Sequence, residues 1–167
     1  MPRTASDLFE RYHVKTYRYF LRTVGSHDVA QDLTQELFLR VVRHLRSCSP
    51  GREVAWMFRI ARNLVVDYRR EHSERSLPLA QAVGGRTEAT QLVAFGLSEA
   101  LGLLADADRE VFLLREVAGL DYQELAEACD TTPQAVRLRV SRARGRLKAL
   151  LSRRLSADEN RRRNEDG

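Results

Sequence analysis

The chain is 167 residues long, 43% hydrophobic, 31% charged and only 7% aromatic, with a formal net charge of +5. That length holds one ordinary domain or two small ones, and the apolar fraction excludes wholesale disorder. No apolar run approaches the roughly 18–20 residues that span a bilayer, so stable membrane insertion is not expected.

The N-terminal stretch lacks the apolar core of a signal peptide. Two cysteines, Cys48 and Cys129, are too few for a disulfide scaffold, so a reduced, cytoplasmic protein is expected.

In chain order, Leu8, Phe9, Tyr12, Tyr17, Phe20, Leu21 and Val24 recur at three- and four-residue spacing and predict a helix that stops at Gly25. Val29, Ala30, Leu33, Leu37, Phe38, Val41, Val42 and Leu45 form a second stripe, ended by the turn-rich Ser47-Cys48-Ser49-Pro50-Gly51. A third runs through Trp56, Met57, Ile60, Ala61, Leu64 and Tyr68. Three such helices can bury one core, so 5–71 reads as a small helical domain. The pattern then lapses, and 72–96 reads as a flexible linker.

Helical units resume with Leu97, Leu101 and Leu104, then Val111, Phe112, Leu114 and Val117, closed by Gly119. Asp121-Tyr122-Gln123-Glu124 is a capping box with Asp at the cap, opening a brief helix over 122–129. Asp130-Thr131 makes a tight turn, Thr132 caps, and Pro133 takes the first helical position of a long helix reaching about Leu151. Two helices joined by a short turn, the second basic, describe a helix-turn-helix. The expected fold is all-α: two small helical domains joined by a flexible linker, the C-terminal one (97–152) a helix-turn-helix, with a charged, disordered tail over 153–167.

Charge is segregated in this second half. Residues 98–130 carry nine acids against two arginines, whereas 131–157 carry eight basic residues and no acid. A solvated helix normally mixes signs, so a polyanion-facing surface is the stronger reading, with nucleic acid as partner. On a helical wheel Val136, Val140, Ala143 and Leu147 share the core side. Gln134, Leu138, Ser141 and Gly145 lie opposite, flanked by Arg137 and Arg142. A major groove admits one helix, whose outward side chains meet base edges while lateral cations meet phosphates. Gln134, Arg137, Leu138, Ser141 and Arg142 therefore suit base readout, and the shoulder arginines, Arg144 among them, suit phosphates. A solvated basic helix would carry the same charge; the preceding turn favours DNA.

An enzyme has little to work with here. No glycine-rich phosphate loop, His-Glu-x-x-His or metal-spaced cysteine pair occurs, and His13, His27, His44 and His72 are scattered. No catalytic residue, metal site or cofactor is expected.

Three blocks carry a resemblance. Asp32-Leu33-Thr34-Gln35-Glu36-Leu37-Phe38 with Arg40 resembles the core-binding segment of bacterial sigma factors. The run from Trp56 to Arg70 resembles their promoter-melting and −10 helix. Arg109–Glu116, Tyr122–Ala126 and Val136–Arg144 resemble their −35-reading domain. Order and separation match over about 5–151, and the size resembles the extracytoplasmic-function (ECF) group of the sigma-70 superfamily.

The resemblance implies that 5–71 binds core RNA polymerase and melts the −10 element, while 97–152 reads the −35 element. Partners would be the clamp helices of the largest polymerase subunit, the flap of the second-largest, promoter DNA and an anti-sigma factor. Asp32, Gln35 and Glu36 would meet the clamp helices through charge-assisted hydrogen bonds. Arg52, Trp56, Arg59, Arg62 and Asn63, with the loop over 47–53, would meet the separated −10 strand. There the amide of Asn63 suits an extruded base and the arginines suit phosphates. For Trp56, core packing ranks ahead of base stacking. Leu138 stands where the family often has Ser, which replaces a polar contact by one suited to a thymine methyl. The competing reading is a stand-alone helix-turn-helix regulator that binds duplex DNA without polymerase.

Overall fold

The computed structural model describes residues 4–72 and 96–165, and every regular element among them is helical. Thr4 begins α1 (Ala5–Val24) with a reciprocal cap. Its hydroxyl accepts from the Asp7 N–H at 3.1 Å, and the Asp7 carboxylate accepts from the Thr4 N–H at 3.0 Å. Gly25 ends the helix at φ 81°, a left-handed conformation that glycine adopts without penalty, and donates to the Leu21 carbonyl. Ser26 caps α2 (His27–His44), a 3₁₀ turn spans Leu45–Ser47, and α3 covers Glu53–Glu71.

The front core is aromatic at its centre. Phe58 of α3 is fully buried, and Tyr12 and Tyr19 of α1 meet it edge-on with ring centroids at 6.0 and 6.3 Å. The buried Thr16 hydroxyl donates to the Tyr12 and His13 carbonyls at 2.9 and 3.0 Å, so its polarity costs little.

In the rear half, a helix over 96–102 (α4) precedes α5 (Asp106–Glu116), α6 (Tyr122–Ala128) and α7 (Pro133–Glu165). The Asp121 carboxylate accepts from the Glu124 N–H at 2.8 Å while the Glu124 carboxylate accepts from the Asp121 N–H at 2.9 Å. Because this box starts a helix of seven residues, Asp121→Ala is expected to cost about 1 kcal/mol and lower the thermal midpoint, read by circular dichroism. Thr132 caps α7 through the Ala135 N–H at 3.2 Å, and Pro133 opens it. Val136, Val140, Ala143 and Leu147 are all at least 96% buried, as the wheel requires.

Three features differ from the sequence-based expectation. First, α7 runs on to Glu165, so residues expected to form a disordered tail from 153 are helical. None of the described side chains beyond Leu151 is buried, and Arg154 pairs with Glu99. This end is a single solvated helix of good helix formers, which no hydrophobic stripe announces. Second, Phe9 and Val42 belong to the apolar stripes yet are 49% and 68% exposed. Third, the two halves lie against each other: α3 packs across α6, and the buried apolar residues of both halves form one continuous cluster. Apart from His72 and Gly96, the expected linker lies outside the described residues. Among those described, no helix is long and apolar enough to cross a membrane.

Candidate nucleic-acid interface

The opposite side of α7 from its buried stripe is open. Gln134, Arg137, Leu138 and Ser141 are all exposed there, Leu138 at 58%. The Arg137 guanidinium stacks over the Tyr122 ring at 5.1 Å, and Arg115 stacks over the same ring at 4.8 Å. Arg115 also donates to the Leu120 carbonyl, which closes the loop ahead of α6. Tyr122 thus fixes the direction of Arg137.

Arg142 and Arg144 are turned toward α5. Arg142 donates to Asp108 at 2.9 Å, and Arg144 pairs with Glu116. Both arginines are about half exposed, at 56% and 52%, so these ion pairs are of the kind worth ~0–1 kcal/mol that a phosphate can replace. Sequence reasoning missed Tyr122, Arg115, Asp108 and Glu116 as partners. The acidic excess over 98–130 was the available signal, but it carried no pairing information.

A second set of arginines sits on α3 and at its N-cap, on the side facing α6. Arg62 donates from Nε and Nη2 to the two Glu110 oxygens at 2.8 and 3.0 Å, and from Nη1 to the Ala128 carbonyl at 2.7 Å. Arg59 donates through Nη2 to Asp130 and to the Glu127 carbonyl, both at 2.6 Å. Arg52 reaches Glu127 at 3.9 Å. Burial pulls the Arg62 guanidinium pKa down, but the Glu110 hydrogen bond and charge outweigh it, and the net shift is upward. Burial pushes the neighbouring Cys129 thiol up to about 11. Asn63 is exposed, and Trp56 is half-buried against the core. Beside this junction Tyr12, Gly51, Arg52, Glu124 and Glu127 border a cavity of about 420 Å³.

The third feature is a groove of about 640 Å³ between α1 and α2. Phe9, Val14, Leu39 and Val42 form its apolar wall, 44% to 68% exposed, and Asp32 and Gln35 stand along it. Glu36 is directed along the helix instead, accepting from Arg40 Nε at 2.6 Å. The stripe pattern did not reveal this groove, because it marks an apolar side without saying which edge is covered. No cluster suited to hold a metal ion occurs among the described residues.

Known proteins share this arrangement. The family model described as Sigma-70 region 2 matches residues 8–75, and that described as Sigma-70, region 4 matches residues 95–147. The ECF RNA polymerase sigma factor SigM of Bacillus subtilis is 27% identical over 161 residues, spanning 90% of this chain and 96% of its own length. The ECF RNA polymerase sigma factor EcfG of Rhodopseudomonas palustris is 35% identical over 133 residues, spanning 76% and 74%. Among solved structures, the Bartonella quintana sigma factor RpoE in complex with the anti-sigma factor NepR aligns with a TM-score of 0.71 at 25% identity, over 88% of this chain and 95% of that one. CnrH in complex with the cytosolic domain of CnrY aligns with a TM-score of 0.68 at 26% identity, over 89% and 87%.

Proposed function

The chain belongs to the ECF group of the sigma-70 family, non-enzymatic factors that bind core RNA polymerase and promoter DNA to start transcription, and from that premise we propose how its faces divide the work. Residues 97–152 read the −35 element as intact duplex. The observation that carries this reading is the exposed line Gln134, Arg137, Leu138 and Ser141 on α7, opposite a fully buried stripe. A helix in the major groove needs that division. Arg144 exchanges Glu116 for a phosphate as the helix enters, and Arg142, released from Asp108, joins the base-reading line.

Residues 5–71 take the other two tasks. Asp32 and Gln35, beside the apolar wall of the α1/α2 groove, meet the clamp helices of the largest polymerase subunit, with Glu36 at the margin. Arg52, Arg59, Arg62 and Asn63 hold the separated −10 strand, with Trp56 supporting the helix that carries them. Region 97–152 also meets the flap of the second-largest subunit. The chain works in the cytoplasm, where core polymerase is. An anti-sigma factor is a further proposed partner: the solved relative RpoE was captured with the anti-sigma factor NepR, and CnrH with the cytosolic domain of CnrY.

Changing Asp32 and Gln35 together to alanine is expected to weaken association with core enzyme while leaving −35 duplex binding intact, as measured by surface plasmon resonance on each partner. Equal loss on both surfaces defeats this division. The direct test of the whole reading is transcription reconstituted with sigma-free core polymerase on fragmented host DNA. Mapped start sites sharing two upstream elements are expected; starts no more frequent than with core alone overturn it. The stand-alone regulator reading predicts tight duplex binding without polymerase, and nothing in the arrangement of α1–α3 favours it.

A further inference from the structure

The arginines assigned to the −10 strand are already occupied by acceptors from the chain's own rear half. Arg62 holds the Glu110 carboxylate with two hydrogen bonds and the Ala128 carbonyl with a third; Arg59 holds Asp130 and the Glu127 carbonyl. Planar guanidinium forks grip carboxylates and phosphates in the same way.

The end of α6 explains why these acceptors are available. The last turn of α6 contains no basic residue, so its terminal carbonyls have no cation of their own. Arg59 and Arg62 of the other half supply two. Asp130, just beyond, is a non-glycine residue at φ 50°, in the turn of the helix-turn-helix, where it meets Arg59.

Placement in the fold reinforces the point. The Arg62–Glu110 pair is about three-quarters buried, at 23% and 27% exposure, whereas Arg59–Asp130 lies at the rim, at 46% and 69%. Such a pair is hard to bridge by chance and is screened less by salt than a surface contact.

We infer that this junction is an intramolecular clasp: the acidic end of the −35 domain occupies Arg59 and Arg62 of α3 as a stand-in for DNA phosphate, so that the free protein is closed and these two guanidinium groups are withheld from the −10 strand until the halves separate. The inference rests on the −10 assignment made above. Three of the nine acids over 98–130, Glu110, Glu127 and Asp130, are the ones turned to the front half. The −35 face of α7 stays open in the closed form, since Gln134, Arg137, Leu138 and Ser141 are exposed beside it. Closure therefore suppresses single-strand capture more than duplex binding.

The test uses the full chain with Glu110→Gln and Asp130→Asn combined. Gln keeps an acceptor for Arg62, and Asn is among the residues best tolerated at positive φ, so the fold is retained. Asp158→Asn with Glu159→Gln, on the solvated end of α7, is the charge-matched control. Opening is read without DNA, by small-angle X-ray scattering and by iodoacetamide alkylation of Cys129 near pH 8. With its thiol at about 11, Cys129 is almost wholly protonated there. Relaxing to the ordinary value of ~8.5 raises the thiolate fraction more than about a hundredfold. Cys48, whose thiol is raised by its own burial and by Glu53, is the internal reference.

The expected result is a larger radius of gyration; faster alkylation of Cys129 supports it but does not stand alone, because Glu110 and Asp130 themselves raise that thiol and their neutralisation lowers it. Affinity for a short fluorescent single-stranded DNA of mixed sequence should also rise several-fold beyond the control, and Arg62→Ala in the open background should abolish that gain. A radius of gyration equal to wild type overturns the clasp, whatever the Cys129 rate. So does an opened variant that binds the strand no better than the control. The −10 assignment fails separately, if holoenzyme carrying Arg59→Ala and Arg62→Ala still opens promoter DNA normally by permanganate footprinting.

Discussion

Phe58→Ala is expected to destabilise the protein by about 3–5 kcal/mol, a large share of the roughly 5–15 kcal/mol by which a domain is stable. The ring is fully buried, and both edge-on partners, Tyr12 and Tyr19, belong to α1, so the substitution empties the joint that holds α1 to α3. Tyr19 cannot swing into the space, because it is packed in turn, 5.5 Å from Phe20. Urea denaturation followed by circular dichroism checks this through the midpoint. Phe58→Leu should lose much less, since it leaves most of the volume filled. If alanine and leucine behave alike, the site is not the packing centre described.

The second large effect is on DNA recognition. Arg137→Ala is expected to weaken binding to a promoter −35 duplex by about 1–3 kcal/mol, roughly 5- to 150-fold, and to relax discrimination at one base pair. Its guanidinium is held over Tyr122, with Arg115 on the same ring, so it enters the groove already oriented. Arg144→Ala should behave differently. A phosphate contact is indifferent to sequence, so affinity should fall about equally on all duplexes, and the log–log salt slope should lose about 0.9. Fluorescence anisotropy over a salt series separates the two. An Arg137→Ala variant that keeps its sequence preference would remove this residue from the reading face.

Much of this architecture was legible locally. The caps at Thr4 and Asp121, the stop at Gly25 and the Thr132-Pro133 start are encoded within a few residues, because a helix terminus is satisfied by its immediate neighbours. The buried stripe of α7 followed from a 3.6-residue period. The run to Glu165 was missed, because a solvated helix has no buried side to produce a period. Phe9 and Val42 were misplaced for a related reason: their angular position was right, yet the neighbour that would cover them is absent from the bundle.

The sequence by itself determined the helices, all their ends but that of α7, the helix-turn-helix and the family, which depend on short-range spacing and local motifs. Only the tertiary structure decided which charges meet. Arg62 finds Glu110 at a separation of 48 residues and Arg59 finds Asp130 at 71, and no period along one helix specifies a partner on another. Nine carboxylates over 98–130 were available as partners. The packing of α3 against α6 selected among them, because the distance and angle at which the two helices meet decide which guanidinium reaches which carboxylate.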